Sequence, residues 1–194
     1  MAGSLFAPNA GEGQAERPEW LADRERADQW LRWNREQWWP AFQDAARVGH
    51  DREVISAAEA LHWYAPTWMA WNSWQAFYLV SVEAARRIRD KSLESTQLGY
   101  LAWAELVEQR DARTALDRAQ EALLAAREAN DDLALGWANL YKGRALNSLG
   151  DHEGASTALN ESALVFDRVS YAAGAAQARS IASQAMPDGA VEVE

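Results

Sequence analysis

Cysteine is absent from the 194 residues, so neither a disulfide framework nor a thiolate-held metal site can form. No apolar run in the sequence is long enough to span a bilayer. The first residues also lack the basic stretch followed by an apolar one that marks a secretory signal. A cytoplasmic protein is the expectation. Basic charge is in deficit, with 19 Lys and Arg against 29 Asp and Glu and a formal net charge of −10. A surface of that sign repels phosphate backbones, which argues against nucleic-acid binding. Histidine occurs only at His50, His62 and His152, with no pair at metal-ligand spacing. There is no G-x-x-x-x-G-K-[ST] phosphate loop and no basic helix-turn-helix. No cofactor and no metal are expected.

What is present is helical periodicity. Residues 1–18 read as a Gly-, Ala- and Pro-rich disordered leader, and residues 187–194 as an acidic tail. Between them apolar residues recur at helical spacing, and no stretch alternates with period two. The punctuation is that of helix ends: "GHD" at 49–51, "PT" at 66–67, "KS" at 91–92, "RD" at 110–111, "NDD" at 130–132, "GD" at 150–151 and "VS" at 169–170. Asp, Ser and Thr accept bonds from the free N–H groups of a first helical turn. Gly49 and Gly150 suit the left-handed residue that closes a helix.

These joints repeat. An offset of 40 pairs Leu106 with Leu146, Asp111 with Asp151 and Ala115 with Ala155, and "EAARRIRD" aligns with "LAAREAND" at an offset of 41. A period of that length with two helices per unit belongs to helical-repeat solenoids, in which each hairpin buries its apolar face on the next. The expected fold is all-α, a right-handed α-α superhelix of about eight helices. It would comprise an N-terminal helical segment over 19–50 and repeats over 51–186, divided near 51–90, 92–130, 131–170 and 171–186. Ala104, Ala115, Ala119, Ala145 and Ala155 would let helix axes approach. Leu106, Leu123, Leu146, Leu149, Leu159 and Phe166 would fill the space between layers.

The second full copy places Gly143 and Leu146 on its first helix, "LGD" 149–151 at the turn, and Ala155 and Ser162 on its second helix. In these positions the chain resembles the tetratricopeptide (TPR) superfamily. The first copy departs from the pattern, with Trp103 aligned to Gly143 and "QRD" in place of "LGD". Either the helix packing opens there or the register slips by one residue. A narrower resemblance rests on Trp33, Glu36 and "DAARVGHD" ahead of an Ala-rich helix, a Trp-containing helix and the repeats. That order is similar to the C-terminal sensor region of STAND-class signalling ATPases, including SARP-type transcriptional regulators. It implies a non-enzymatic interaction or sensor module of a bacterial signalling or transcription regulator.

Tryptophan is abundant, at 11 residues. Trp30, Trp33, Trp38 and Trp39 form one group. A second runs through Trp63, Tyr64, Trp68, Trp71, Trp74, Phe77 and Tyr78. Trp71, Trp74 and Tyr78 follow i, i+3, i+7, with Trp68 a turn earlier, so they are expected on one helix face as a bulky core. The basic cluster Arg86, Arg87, Arg89 and Lys91 falls at a helix end, where it complements the dipole. Glu59 and His62, at i and i+3, are expected to share a surface hydrogen bond and not to act as a catalytic dyad. No Ser or Thr nucleophile beside a base is apparent.

The TPR resemblance implies that the first helix of each hairpin lines a concave groove. Carried residue by residue, the outward positions are Ser56, Glu59 and Trp63, then Gln97, Tyr100 and Ala104, then Trp137, Leu140, Arg144 and Asn147, and finally Gln177. The candidate binding residues are Glu59, Trp63, Gln97, Tyr100, Trp137, Arg144, Asn147 and Gln177. Trp63, Tyr100 and Trp137 would be aromatic anchors beside polar partners. The rival placement has Trp137 packed on a neighbouring helix. The expected partner is a protein or peptide on the concave face, or a small effector, with no nucleic acid or membrane. A homodimer through the Ala-rich last helix is a further option. Two other classes stay open: a small-molecule enzyme using the aromatic pocket, and a purely structural dimerisation module.

Overall fold

Helix reversals in this protein share a two-residue device. In the computed structural model, which describes residues 24–185, Arg89, Arg110, Asn130 and Ser170 have φ between 53° and 58°, and Gly150 has φ 82°. Each of these left-handed residues ends a helix. The next residue at four of the joints is an aspartate, Asp90, Asp111, Asp131 or Asp151. Its carboxylate accepts from the backbone N–H three residues on, at Leu93, Thr114, Ala134 and Gly154. One residue turns the chain and the next caps the new helix. At the joint read as "KS" the cap is Asp90, one residue before Lys91. The expected leader (1–18) and acidic tail (187–194) lie outside the described residues.

Two units are divided between Gln43 and Asp44. In the first, α1 (Arg24–Trp33) is followed by α2 (Arg35–Arg47), which continues past the division. The Trp38 indole N–H donates to the Leu31 carbonyl at 2.7 Å, and Trp39 stacks on Phe42 at 5.7 Å.

The second unit runs α3 (Asp51–His62), a 3₁₀ segment (Ala65–Trp71), α4 (Trp74–Ile88), α5 (Lys91–Val107), α6 (Ala112–Ala129), α7 (Asp132–Ser148), α8 (His152–Arg168) and α9 (Ala172–Ala185). The described residues thus hold nine α-helices and one 3₁₀ segment, where about eight helices were expected, and no strand. None of these helices is long and apolar enough to cross a membrane. From α3 to α9 every helix packs on its successor, an all-α helical-repeat array. In addition α3 packs on α5, α5 on α7, and α7 on α9, whereas among the described residues no such backbone packing joins α4 to α6 or α6 to α8, and α4 and α6 are linked by the Arg86–Glu121 ion pair. The row whose members pack on one another is the inner row of a curved array.

Small residues set the spacing. Ala104, Ala115, Ala119, Ala145 and Ala155 are all buried. A Cβ added to Gly143 on α7 would stand 2.6 Å from Leu159 Cγ and 3.2 Å from the Ala155 carbonyl oxygen, so only glycine permits this approach of α8. The first copy has its own small residue for the same place, and it is not Trp103. Counted from the caps Asp90 and Asp131, Ala102 and Gly143 are each the twelfth residue. The register slips because the α5–α6 joint, Glu108 to Arg110, is one residue longer than Leu149–Gly150. Trp103 instead packs edge-on against His62 and Tyr78. Leu149, expected between layers, sits in the α7–α8 turn and is exposed.

The second tryptophan group does not occupy one helix. Pro66 opens the 3₁₀ segment, Trp68 has non-helical φ/ψ, and Asn72 turns left-handed before α4 starts at Trp74. The rings still gather. Trp68 stacks on Trp71 at 5.2 Å, Trp71 meets Trp74 edge-on at 4.7 Å, and the Trp74 indole N–H donates to the Trp68 carbonyl. Trp68, Trp71, Trp74, Phe77 and Tyr78 are buried and form core, whereas Trp63 is exposed.

Ion pairs absorb most of the basic cluster. Arg86 bonds Glu83, Glu94 and Glu121, Lys91 bonds Glu94 and Glu128, and Arg87 clasps Asp51 at the start of α3. These carboxylates span α3, α4, α5 and α6, so three of the four basic residues tie consecutive helices together.

Candidate functional site

Along the inner row, side chains of α3, α5 and α7 converge. His62, the last residue of α3, is buried, with Nδ1 3.1 Å from the Tyr78 hydroxyl and Nε2 3.2 Å from the Tyr141 hydroxyl. Its ring stacks on Tyr100 at 3.6 Å, with planes 13° apart. The expected surface pair with Glu59 is therefore replaced. His62 faces inward, and the hydroxyls of α4 and α7 take both its nitrogens. Burial drives its pKa down to about 3, so the imidazole is neutral at physiological pH. Burial likewise pushes the Tyr78, Tyr100 and Tyr141 hydroxyls up, well out of the titrating range. A neutral imidazole has one N–H donor and one bare nitrogen acceptor, which matches two hydroxyl partners. Gly99 makes room for this arrangement, since a Cβ there would lie 2.9 Å from the Tyr141 ring.

Of the aromatic candidates, Trp63 and Trp137 meet at 5.9 Å with rings 66° apart. Trp137 is also in contact with Tyr141, Phe166 and Tyr171, so it packs on its neighbours while its edge belongs to the inner face. Tyr100 is committed to the His62 stack. Gln97, placed outward by the sequence, is fully buried on α5, and neither polar atom of its amide has a hydrogen-bond partner among the described residues. It does not face an open groove. Glu59 is half-buried, with its carboxyl pushed up by desolvation.

The remaining three candidates come together elsewhere. Arg144, Asn147 and Gln177 line a cleft of ≈ 580 Å³ at the C-terminal ends of α5 and α7 and along α9. Leu106, Val107 and Ile181 supply its apolar surface, and Ser148, Ser180 and Gln184 add neutral hydrogen-bonding groups. Arg144 makes no ion pair among the described residues, and the His152 ring lies 2.9 Å from the Asn147 amide oxygen. The eight candidates thus divide into three aromatic residues, three residues of a polar cleft, one buried amide and the half-buried Glu59. Sequence reasoning missed His62, Tyr78 and Tyr141 as partners, and Ser180 and Gln184 as cleft walls. The last two follow Gln177 at i+3 and i+7 on one face of α9, which was the available signal.

No group of three or more His, Cys, Asp or Glu side chains among the described residues is placed to hold a metal ion. No protein-family model, curated protein or solved structure matches the chain.

Proposed function

We propose that this chain is a non-enzymatic binding module of the TPR type that takes a peptide or protein segment along its inner helical row. The observation that carries this reading is the ≈ 580 Å³ cleft, in which Arg144, Asn147 and Gln177 from two different helices meet. Its chemistry suits an extended chain. Amides and hydroxyls satisfy backbone N–H and C=O groups, an arginine with no ion pair among the described residues can donate to an anionic group, and the leucine, valine and isoleucine take an apolar side chain. The neighbouring His62 is neutral and bonded at both nitrogens, which fits a structural role better than proton transfer. Service as the sensor part of a bacterial regulator is the context that the resemblance to STAND-class proteins supports.

The test compares wild-type protein with an Arg144→Ala/Asn147→Ala/Gln177→Ala variant that keeps its circular dichroism spectrum. Each is used to recover partners from lysate, with a photo-crosslinker at Ser180. A partner crosslinked by wild type and lost by the variant is the expected result. Equal recovery by both would remove the cleft from the binding surface.

A further inference from the structure

The cleft that holds Arg144, Asn147 and Gln177 lies beside the last described turn of the chain. Four of its walls, Gln177, Ser180, Ile181 and Gln184, belong to α9, which ends at Ala185. The chain that follows Ala185 therefore starts at the rim of the cleft.

In the sequence that follows, residues 186–194 read "MPDGAVEVE". Pro187 cannot continue an α-helix, and Pro187, Asp188 and Gly189 form a turn signature, in which proline fixes φ and glycine takes the left-handed place. Beyond it Val191, Glu192, Val193 and Glu194 alternate apolar and acidic. In an extended chain the two valines share one side and the two glutamates the other.

The cleft has matching chemistry. Leu106, Val107 and Ile181 make it apolar in part. Arg144 is the one charged side chain among its walls, with no ion pair among the described residues. The amides of Asn147, Gln177 and Gln184 can bond an extended backbone. Length also suffices. Residues 190–194 in extended form reach about 16 Å, twice the about 8 Å edge of a cube of ≈ 580 Å³. A segment tethered through a few residues is present at an effective concentration in the millimolar range, so a contact too weak to act between molecules fills a site within one.

We propose that residues 190–194 occupy the cleft of their own chain, with a glutamate on Arg144 and the valines on Leu106, Val107 and Ile181. The proposal rests on the binding-module reading of this cleft and adds its regulation. The chain carries its own competitor, which an outside segment must displace.

The experiment uses the full chain, ¹⁵N-labelled, and as probe the N-acetylated, C-amidated pentapeptide of sequence AVEVE. The side-chain amide signals of Asn147, Gln177 and Gln184 report on the cleft. The tail variant Val191→Ser/Glu192→Gln/Val193→Ser/Glu194→Gln should shift these signals from their wild-type positions at every protein concentration. Asp117→Asn/Glu161→Gln, an equal change of charge at exposed positions of α6 and α8, should leave them in place. Added probe should bind the tail variant with a Kd of about 1 mM and wild type at least about fivefold more weakly, the factor that an effective concentration of several millimolar imposes. Arg144→Gln, with its circular dichroism retained, should weaken probe binding to the tail variant about tenfold.

Cleft signals that stay put in the tail variant, equal probe affinity for both proteins, or no probe binding up to about 20 mM would overturn the proposal. So would shifts that fade on dilution, which would place the tail of a second copy in the cleft. Equal probe affinity combined with loss of partners from the Arg144→Ala/Asn147→Ala/Gln177→Ala variant would remove the tail and keep the cleft as a binding site. Tail-dependent shifts combined with partners retained by that variant would do the reverse.

Discussion

His62 and Tyr141, 79 residues apart in the chain, are joined by a contact of 3.2 Å between Nε2 and the hydroxyl. With Tyr78 on the other nitrogen, the imidazole links α3, α4 and α7 through one buried group. Such a network rewards full satisfaction and penalises any change in protonation.

Stability should therefore decline on the acid side of neutrality. The folded-state pKa of His62 is about 3 against the ordinary 6.5. Between these values the unfolded chain binds a proton that the folded chain does not, so folding free energy is lost as pH falls, with a slope approaching about 1.4 kcal/mol per pH unit. Glu59, whose folded pKa is raised, contributes in the opposite sense. Urea unfolding at several pH values between neutral and mildly acidic, for wild type and His62→Gln, isolates the histidine. The wild-type curve should fall more steeply, and parallel curves would contradict the buried neutral imidazole.

Gly143 and Gly154 should respond oppositely to alanine. At Gly143 the new methyl meets Leu159 Cγ at 2.6 Å and the Ala155 backbone oxygen at 3.2 Å. Overpacking should outweigh the helix-propensity gain and cost about 1–2 kcal/mol. At Gly154 the nearest atoms to the methyl are those of the Asp151 carboxylate, the flexible end of a side chain that can shift slightly while it keeps its cap on residue 154. Ala134 already occupies the same place after Asp131. Gly154→Ala should gain about 0.5–1 kcal/mol. Thermal melts of both variants decide this.

Arg110 and Ser170 hold left-handed backbone without being glycine, at φ 56° and 58°. Replacing either by glycine should relieve that strain and stabilise the array by about 0.5–1 kcal/mol, while Gly150→Ala should cost about 1 kcal/mol. Denaturant midpoints that do not separate these variants would show that the joints carry no strain.

Asp131 caps α7 through the Ala134 N–H at 2.9 Å and also accepts from the Ser92 hydroxyl of α5. Asp131→Ala should cost about 1–2 kcal/mol through the lost cap. A double-mutant cycle with Ser92→Ala should show a coupling of about 0.5–1.5 kcal/mol. Additive effects would mean that the serine contact contributes nothing.

Helix class, the joints at Asp111, Asp131 and Asp151, and the small residues at Ala115, Ala145 and Ala155 were all legible in the sequence, because caps and close approaches are made by local residue types. The break at Asn72–Ser73 was not, since the tryptophan spacing before and after it imitates one helix. The aromatic candidates Trp63 and Trp137 do meet, and Arg144, Asn147 and Gln177 do share a cleft. Gln97 was misplaced outward because an i, i+3 position on α5 names a face without saying what covers it.

The amino-acid sequence by itself determined an all-α array with reversals about every twenty residues, because each left-handed residue and its following aspartate act within a few residues of backbone. Only the tertiary structure decided the partners of the inner face. His62 took hydroxyls from Tyr78 and Tyr141, not the carboxylate one turn away, and among the described residues no cation pairs with Glu59. The choice depends on how far each helix advances before it packs, a distance set by Gly99, Ala102 and Gly143 together and encoded in no single segment.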